Sequence, residues 1–316
     1  MPSYRSFLPA LVFCIHSLFL VFSAALAAND DASTRQELDF NFDWKFSLGE
    51  QSGAHAPGFD DSGWRELRLP HDWSIEAEYS QENTSGATGY LPGGLGWYRK
   101  HFASPELVNG EIAKTQILFD GIYNHSEVWI NGHSLGYRPF GYVAIFYDLT
   151  PFLNTDGSDN VIAVHVDRSR YVDSRWYTGS GIYRNVKLVI TGQVHVPIWG
   201  STILTPEVTS ERAKVLISTE LRNDSAQARV LNVSTTLLDG SGLNVGRDMK
   251  RLEIAARSTE LLRQEVIVTN PQLWDIDNPN LYFAQTEVRS EEQLLDSKST
   301  RLGIRSLRND AKTGFF

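Results

Sequence analysis

The chain is a succession of short apolar runs separated by turn-forming residues, and none of it keeps a helical period. Between positions 215 and 221, Val215, Ile217, Thr219 and Leu221 alternate with mostly polar neighbours. Alternation with a period of two is the pattern of a strand that buries one face. The sequence therefore predicts an all-β protein.

One predicted hairpin is centred on Asn131-Gly132. Asn-Gly between apolar runs favours a type I′ turn, because both central residues of that turn need a positive φ. Val128 and Ile130 should then face the core, with Trp129 on the opposite face of the strand.

Turn signals divide the apolar runs into two groups. The first, within residues 36–192, has long loops between short strands and is typical of a jelly-roll sandwich. The second, within residues 193–304, has seven runs, as an immunoglobulin-like sandwich does. The predicted strands are 41–47, 64–69, 97–102, 116–119, 126–130, 142–148, 160–167 and 186–190 in the first group, and 201–204, 214–222, 229–238, 246–254, 260–268, 282–290 and 293–302 in the second.

Residues 1–27 have the pattern of a signal peptide. Arg5 precedes an apolar run at 7–22, and Ala-Leu-Ala at 25–27 is a small-residue cleavage site. A membrane anchor is the alternative, but polar residues interrupt the run, which is short for a span of roughly 20 residues. We expect a secreted or periplasmic protein whose domains are held by their cores, because the only cysteine, Cys14, lies in this segment.

Composition narrows the classes of ligand. The 316 residues carry a formal net charge of −9, whereas a nucleic-acid-binding protein needs a basic face. The eight histidines are dispersed, and no pair has the spacing of a zinc site. Residues 154–160 gather amide and carboxylate oxygens but lack the pattern of a calcium loop. We expect no metal and no other cofactor in this segment.

The candidate functional segment is the loop 174–185, Ser-Arg-Trp-Tyr-Thr-Gly-Ser-Gly-Ile-Tyr-Arg-Asn. Aromatic faces pack on the C–H faces of sugar rings, Arg and Asp bind hydroxyl groups, and glycines let the backbone approach a ligand. The pattern points to carbohydrate recognition by Asp173, Arg175, Trp176 and Tyr177. The alternative is a loop whose rings fill the sandwich and whose Arg175 binds backbone carbonyls. Residue types alone do not separate the two.

Two further clusters could carry chemistry. His71-Asp72 suggests a catalytic triad, but no Gly-x-Ser-x-Gly motif accompanies it. We therefore favour a loop that packs through Trp73 and in which Asp72 binds backbone N–H groups. The glycine-rich stretch 89–98 has neither the phosphate-loop pattern nor a helix after it. It fits a turn at a sheet edge or a sugar-facing loop.

Six motifs in register resemble glycoside hydrolase family 2. They are Pro-His-Asp-Trp-Ser-Ile at 70–75, Gly-Trp-Tyr-Arg-Lys at 96–100, Val-Trp-Ile-Asn-Gly-His at 128–133, the loop and its following residues at 174–186, Leu-Trp-Asp-Ile-Asp-Asn-Pro-Asn-Leu-Tyr at 273–282 and Gly-Ile-Arg at 303–305. The resemblance covers residues 36–316 and is strongest to the secreted bacterial β-galactosidases of the family.

The resemblance implies a sugar-binding jelly roll, an immunoglobulin-like sandwich and a (β/α)8 barrel, in that order. The family's general acid/base and nucleophile are glutamates on the barrel, with carboxyl groups about 5–5.5 Å apart. The acid/base follows an Asn, and this chain has no Asn-Glu dipeptide. Residues 305–316 would therefore only begin the barrel. We expect the catalytic residues beyond Phe316, so the segment should have none of its own and be inactive alone.

The resemblance also implies a role for the candidate loop. In the family, this loop reaches into the mouth of the barrel and contacts the sugar in the subsite of the non-reducing residue. The matching positions here are Asp173, Arg175, Trp176 and Tyr177, which would orient the ring without transferring protons.

Other interpretations stay open. β-Glucuronidases and β-mannosidases of the family look alike over this stretch, although residues 70–75 and 89–94 favour a β-galactosidase. Outside that class, the chain could be a stand-alone carbohydrate-binding module or a structural pair of sandwiches that mediates oligomer contacts. The expected partners are a β-galactoside and the barrel. Neither nucleic acid nor, after signal cleavage, a membrane is expected, and a homo-oligomer is compatible with the sequence.

Overall fold

Nearly all regular structure in the protein is β-strand, which confirms the predicted fold class. The structure, a computed structural model, describes residues 34–315 except 83, 109, 111–112 and 171–175. Within that part of the chain the helical elements are three short 3-10 turns, and none could cross a membrane. These turns are Trp73–Glu76, Gly86–Thr88 and Thr150–Phe152.

Two predictions concern the ends of the chain. The predicted signal peptide, residues 1–27, lies outside the described residues, and so does Phe316. The expectation that the catalytic residues lie beyond Phe316 therefore stays a prediction, as does the cleavage site.

Ten strands form the first sandwich. They are β1 (Gln36–Asp39), β2 (Trp44–Leu48), β3 (Arg65–Leu67), β4 (Gly94–Phe102), β5 (Lys114–Phe119), β6 (Ser126–Ile130), β7 (His133–Arg138), β8 (Ile145–Asp148), β9 (Asn160–Arg168) and β10 (Val186–Thr191). One antiparallel sheet has the order β1-β10-β5-β8, and the other has the order β3-β2-β4-β9-β6-β7. Trp44, Tyr98 and Phe119 are completely buried between the sheets, so large aromatic rings fill this core.

The hairpin between β6 and β7 forms as predicted. Asn131 and Gly132 have φ values of 49° and 82°, as a type I′ turn requires. Val128 and Ile130 are completely buried, whereas Trp129 lies half-buried on the outer face. The apolar alternation of β6 thus decides which of its faces meets the core.

Eight strands form the second sandwich. They are β11 (Val194–His195), β12 (Ser201–Val208), β13 (Arg212–Asn223), β14 (Arg229–Leu238), β15 (Asn244–Ile254), β16 (Ser258–Thr269), β17 (Tyr282–Ser290) and β18 (Gln293–Leu302). One sheet is built on β13, which pairs with β11, β12 and β16, and the other has the order β15-β14-β17-β18. The four alternating residues predicted to be buried in β13 are all buried. A small hairpin, β19 (Asn309–Asp310) with β20 (Gly314–Phe315), follows.

The pattern of apolar residues misses strands that are held only by pairing. All four residues of β1 are exposed, and the strand exists because it pairs with β10 at the sheet edge. β7 is also mostly polar and pairs only with β6. The predicted strand 142–148 is shorter in the structure, because only Ile145–Asp148 pairs with β5.

A buried ion pair joins the two sandwiches. Arg35 precedes β1, and its guanidinium donates to both carboxylate oxygens of Asp296 in β18, at 2.9 and 2.8 Å. Asp296 is completely buried and also accepts from the backbone N–H of Val196 at 2.7 Å. A charge in such a position is stable only when its hydrogen bonds are complete.

A second buried carboxylate holds the loop between β2 and β3. Asp61 accepts from Arg99 at 2.7 Å, and from Lys45 and His101 at 2.8 Å each. Arg99 is completely buried and also donates to backbone carbonyls of the loop, including that of Ala56 at 3.0 Å. Burial acts to raise the pKa of Asp61, but these three hydrogen bonds outweigh it and hold the pKa well below its usual range.

We expect Asp61→Asn to lower the free energy of unfolding by about 3 kcal/mol, because it leaves the Arg99 guanidinium buried without its counter-charge. Since the folded protein depresses the pKa of Asp61, its stabilisation is present above about pH 4 and is lost as the pH falls further. Urea unfolding at several pH values would measure both effects. Asp60→Ala, which alters the neighbouring exposed carboxylate, should change little. Equal losses in the two variants would contradict this account.

Candidate functional site

The loop after β9 carries the residues that the sequence singles out. Trp176 is 61% exposed and Tyr177 is 40% exposed. The two rings therefore stand at the surface, which does not fit the alternative in which they fill the sandwich. Asp173 and Arg175 fall outside the described residues, and their sugar contacts stay predictions.

Backbone hydrogen bonds hold the following part of the loop between two other segments. On one side, Tyr123 and Gly181 exchange N–H···O bonds of 2.9 Å in both directions. On the other side, the N–H of His71 donates to the carbonyl of Ile182 at 2.9 Å. The loop thus runs between two segments. One is residues 71–73, which lead into the 3-10 turn Trp73–Glu76, and the other follows β5. Because its backbone groups are paired, it has a defined path without being a strand.

Gly181 is required by the core of the first sandwich. Its φ is +121°, and a Cβ at this position would lie 2.2 Å from the hydroxyl oxygen of Tyr98, which is completely buried. Only glycine permits this approach. The expectation that glycines bring this loop near a ligand is therefore wrong at Gly181, because the close neighbour is a core side chain.

An open cleft of about 530 Å³ lies beside this loop. The indole N–H of Trp176 donates to the hydroxyl of Tyr142 at 3.1 Å, and the Tyr142 ring packs edge-on against Tyr123 at 5.1 Å. Tyr142, Trp176 and Tyr177 line the cleft and form an aromatic wall, which can pack on the C–H face of a sugar ring. The lining residues are Pro70, His71, Asp72, Ile75, Tyr142, Trp176, Tyr177, Thr178, Gly179 and Tyr183.

Asp72 is the one carboxylate among the described lining residues. One of its oxygens accepts from the backbone N–H groups of Ser74 and Ser180, at 3.0 and 2.9 Å. The other accepts from the hydroxyl of Tyr177. The prediction that Asp72 binds backbone N–H groups and that the turn packs through Trp73 is confirmed, since Trp73 is only 4% exposed.

Both ring nitrogens of His71 contact residues of the fold, and Nε2 also lies 3.1 Å from the Arg65 guanidinium. Its Nδ1 contacts the Tyr98 hydroxyl at 2.7 Å, and its Nε2 lies 3.3 Å from a carboxylate oxygen of Glu76. Burial lowers the pKa of His71, although Glu76 acts in the opposite direction. The ring ties the turn to the core through its contact with Tyr98, which agrees with the rejection of a triad.

The glycine-rich stretch supports the same turn. The carbonyl of Gly93 accepts from the Trp73 indole at 3.1 Å, and the carbonyl of Pro92 accepts from the Ser74 hydroxyl at 2.6 Å. β4 begins one residue after Gly93. β4 lies between β2 and β9, so the stretch enters an interior strand and is not at a sheet edge, and its sugar-facing role stays a prediction.

Tyr142 and Ile75 are cleft residues that the sequence does not single out. Tyr142 lies within a predicted strand, and Ile75 lies in a motif interpreted through its neighbours Asp72 and Trp73. Ile75 is 64% exposed. Clusters of exposed apolar side chains mark binding surfaces. Tyr142 and Ile75 come together only in the folded protein, so the sequence pattern does not show this cluster.

Another cleft, of about 630 Å³, lies at the open edge of the second sandwich. Among its described lining residues, Trp274 is the one aromatic ring and there is no carboxylate; the guanidinium of Arg305 lies over the Trp274 ring at 4.4 Å. It offers a sugar fewer suitable groups than the cleft at Trp176. Among the described residues, no three His, Cys, Asp or Glu side chains are grouped as metal ligands.

The sequence matches two models of one enzyme family. The sugar binding domain of glycosyl hydrolases family 2 matches residues 86–192, and a second model, glycosyl hydrolases family 2, matches residues 195–305. The chain belongs to this family. The first match contains the loop at Trp176 and most of its sandwich.

Named relatives from the family are much longer than this chain. Beta-galactosidase BoGH2A of Bacteroides ovatus is 45% identical over 292 residues, which are 92% of this chain and 34% of the relative. A putative beta-glucuronidase of Formosa agariphila is 35% identical over 284 residues, 89% of this chain and 26% of the relative. The crystal structure of a family member from Bacteroides cellulosilyticus superposes with a TM-score of 0.84 at 32% identity and covers 89% of this chain and 37% of that one. The chain thus spans about a third or less of the length of the two named relatives.

We expect Gly181→Ala to destabilise the protein by several kcal/mol, because its methyl group would collide with the buried Tyr98 hydroxyl. Gly157→Ala is the matched control, since Gly157 also has a positive φ (+85°) but open space around its Cα. The control should cost only about 1 kcal/mol of backbone strain. Thermal unfolding of both variants measures the difference, and equal losses would show that the Tyr98 contact is unimportant.

Proposed function

We propose that this chain is the N-terminal, sugar-binding part of a retaining exo-β-glycosidase that releases terminal β-D-galactosyl residues. Family membership supports a hydrolase of glycosides. The length of the relatives supports a catalytic barrel supplied by further sequence beyond Phe316. On this proposal, residues 36–192 and 193–304 are two supporting domains and residues 305–316 lead into the barrel.

The observation that carries the proposal is the cleft beside Trp176. It combines an exposed indole, phenol rings and a carboxylate within about 530 Å³, a size suited to a small ligand. Trp176 and Tyr177 would pack against the sugar ring, and Asp173 and Arg175 would bind its hydroxyl groups. These residues would orient the sugar without transferring protons.

The cleft does not contain the machinery for hydrolysis within its described lining. A retaining glycosidase needs two carboxyl groups about 5–5.5 Å apart. The described lining has one, Asp72, and its oxygens are occupied by N–H and O–H donors. The proposal that the catalytic glutamates belong to the barrel and that the chain by itself is inactive rests on the length of the relatives and is compatible with this lining.

The relatives set the order of the candidate sugars, because Arg175, a cation assigned to this site, lies outside the described residues. The beta-galactosidase relative at 45% identity supports a galactoside, whereas the relative at 35% makes β-glucuronidase the second candidate. A β-mannosidase is the third.

The remaining parts of the proposal concern export and cofactors. We propose that residues 1–27 direct the protein to the periplasm or the exterior and are removed there. Sequencing the N-terminus of the mature protein would test this. We also propose that these two domains work without a metal or other cofactor.

The full-length polypeptide, meaning this chain together with the proposed catalytic barrel, should hydrolyse 4-nitrophenyl β-D-galactoside. The 316-residue chain alone should not. Trp176→Ala in the full-length polypeptide should raise KM roughly tenfold, because it removes a stacking face worth about 1–2 kcal/mol. Trp199→Ala is the matched control: Trp199 is 58% exposed and lies outside the cleft. Its KM should stay at the wild-type value.

Two results would overturn the proposal. Hydrolysis by the 316-residue chain would place the catalytic groups within it. The second result is calorimetric: galactose binds that chain with a millimolar or smaller dissociation constant, and Trp176→Ala abolishes the binding. That result would favour a stand-alone carbohydrate-binding module. Faster hydrolysis of the β-glucuronide than of the β-galactoside by the full-length polypeptide would change the sugar and leave the enzyme class intact.

A further inference from the structure

We infer that Asp72 is a positioning residue that fixes the aromatic wall of the sugar cleft. The inference rests on the proposed function, because it assigns Asp72 a role in sugar binding through Tyr177. Asp72 lies in a different part of the chain from Tyr177, 105 positions earlier. A bond across that separation ties the wall to the rest of the fold.

The two carboxylate oxygens of Asp72 have separate tasks. Oδ1 accepts from Ser74 two residues ahead, at 3.0 Å, and thereby caps the 3-10 turn Trp73–Glu76. The same oxygen accepts from the N–H of Ser180 at 2.9 Å, and Oδ2 accepts from the Tyr177 hydroxyl. One carboxylate thus holds its own turn, the backbone of the loop and the tip of one wall residue.

The loop is shaped to receive this carboxylate. Gly179 lies between the two loop residues that Asp72 binds, and its φ is +79°. A Cβ at this position would lie 3.0 Å from Oδ2 of Asp72, closer than nearly all real Cβ atoms come to a neighbour. Glycine at position 179 therefore allows the loop to close around the carboxylate. The sequence analysis expected the loop glycines to bring the backbone near a ligand, whereas Gly179 makes room for Asp72.

The anchor on which Asp72 sits is rigid. Trp73 is buried in the core, and Ser74 makes side-chain hydrogen bonds of 2.6 Å with both the Pro92 carbonyl and the Ser180 hydroxyl. Hydrogen bonds to a carboxylate are about twice as strong as neutral ones, so the bonds to Asp72 add to those of Ser74 at this junction.

The phenol of Tyr177 stays a donor throughout the working pH range. Burial raises its pKa, and the hydrogen bond to Asp72 raises it further. The bond to Asp72 fixes the position of the phenol tip, and 40% of the surface of Tyr177 stays exposed. The exposed ring face is the part that would contact a sugar.

Loss of Asp72 should weaken sugar binding without slowing the chemical step. A wall residue that binds substrate and transition state equally affects KM and leaves kcat unchanged. If Asp72 only stabilised the fold, its loss would lower the amount of active protein. The apparent kcat would then fall while KM stayed constant. The ratio of the two effects therefore distinguishes positioning from stability.

The test compares three variants. In the full-length polypeptide, Asp72→Ala should raise KM for 4-nitrophenyl β-D-galactoside roughly tenfold, with kcat within about twofold, because a charge-assisted hydrogen bond is lost. Asp72→Asn keeps an acceptor for the N–H groups and should recover part of the effect. Asp156→Ala is the matched control, since Asp156 accepts from the N–H of Ser158 at 3.0 Å in a similar turn that is exposed and outside the cleft. It should match the wild type.

Hydrogen exchange gives a readout that is independent of sugar. The amide of Ser180 should exchange at least about tenfold faster in Asp72→Ala than in the wild type, because its acceptor is gone. If Asp72→Ala does not fold, Tyr177→Phe carries the test. It removes only the phenol bond and should still raise KM.

Each outcome decides the matter. An unchanged KM in Asp72→Ala, or in Tyr177→Phe where that variant stands in, overturns the inference, as does a raised KM with unchanged exchange at Ser180. If the wild-type polypeptide cleaves neither the galactoside nor the glucuronide, the proposed function fails and the sugar role of Asp72 falls with it. Faster exchange in Asp72→Ala would then still establish that Asp72 holds the loop.

Discussion

The cleft depends on one constraint, the close fit of the 177–183 segment against the first sandwich. Gly181 touches the buried hydroxyl of Tyr98 and pairs through its backbone with Tyr123. Because these contacts leave no room for a side chain, the segment has a single path across the end of the sandwich. That path carries Trp176 and Tyr177 to the surface beside Asp72. A wall held in this way is organised before any ligand arrives, which lowers the cost of binding.

Carboxylates that accept several hydrogen bonds join parts of this structure at three places; two of them are buried and Asp72 is half-buried. Asp296 joins the sandwiches, Asp61 holds the loop between β2 and β3, and Asp72 holds the cleft wall. Each accepts several N–H or O–H donors, as a carboxylate removed from water must. The described residues include no cysteine, so no disulfide shares this task there. An aromatic core in the first sandwich, largely aliphatic cores in the second and hydrogen-bonded carboxylates hold the two domains together.

On the proposed function, this arrangement would separate the binding of a sugar from its hydrolysis. Loops at one end of a rigid sandwich provide an aromatic wall, and the single described carboxylate in the cleft is committed to structure. Such a surface suits one side of a site completed by another domain, since clefts between domains bury most of a ligand. The family membership and the greater length of the relatives agree with this division.

The sequence by itself determined the fold class, the buried faces of strands such as β6 and β13, the family and the structural role of Asp72. All of these follow from local alternation, turn chemistry and motifs. It did not reveal β1, whose exposed residues form a strand only by pairing with β10. Nor could it bring Tyr142 to Trp176 or Tyr177 to Asp72, which lie 34 and 105 positions apart. It also assigned the loop glycines to a ligand, whereas Gly181 serves Tyr98. Contacts between segments that are distant in the sequence depend on how the sheets pack over one another. A local sequence pattern does not show which distant residues will meet.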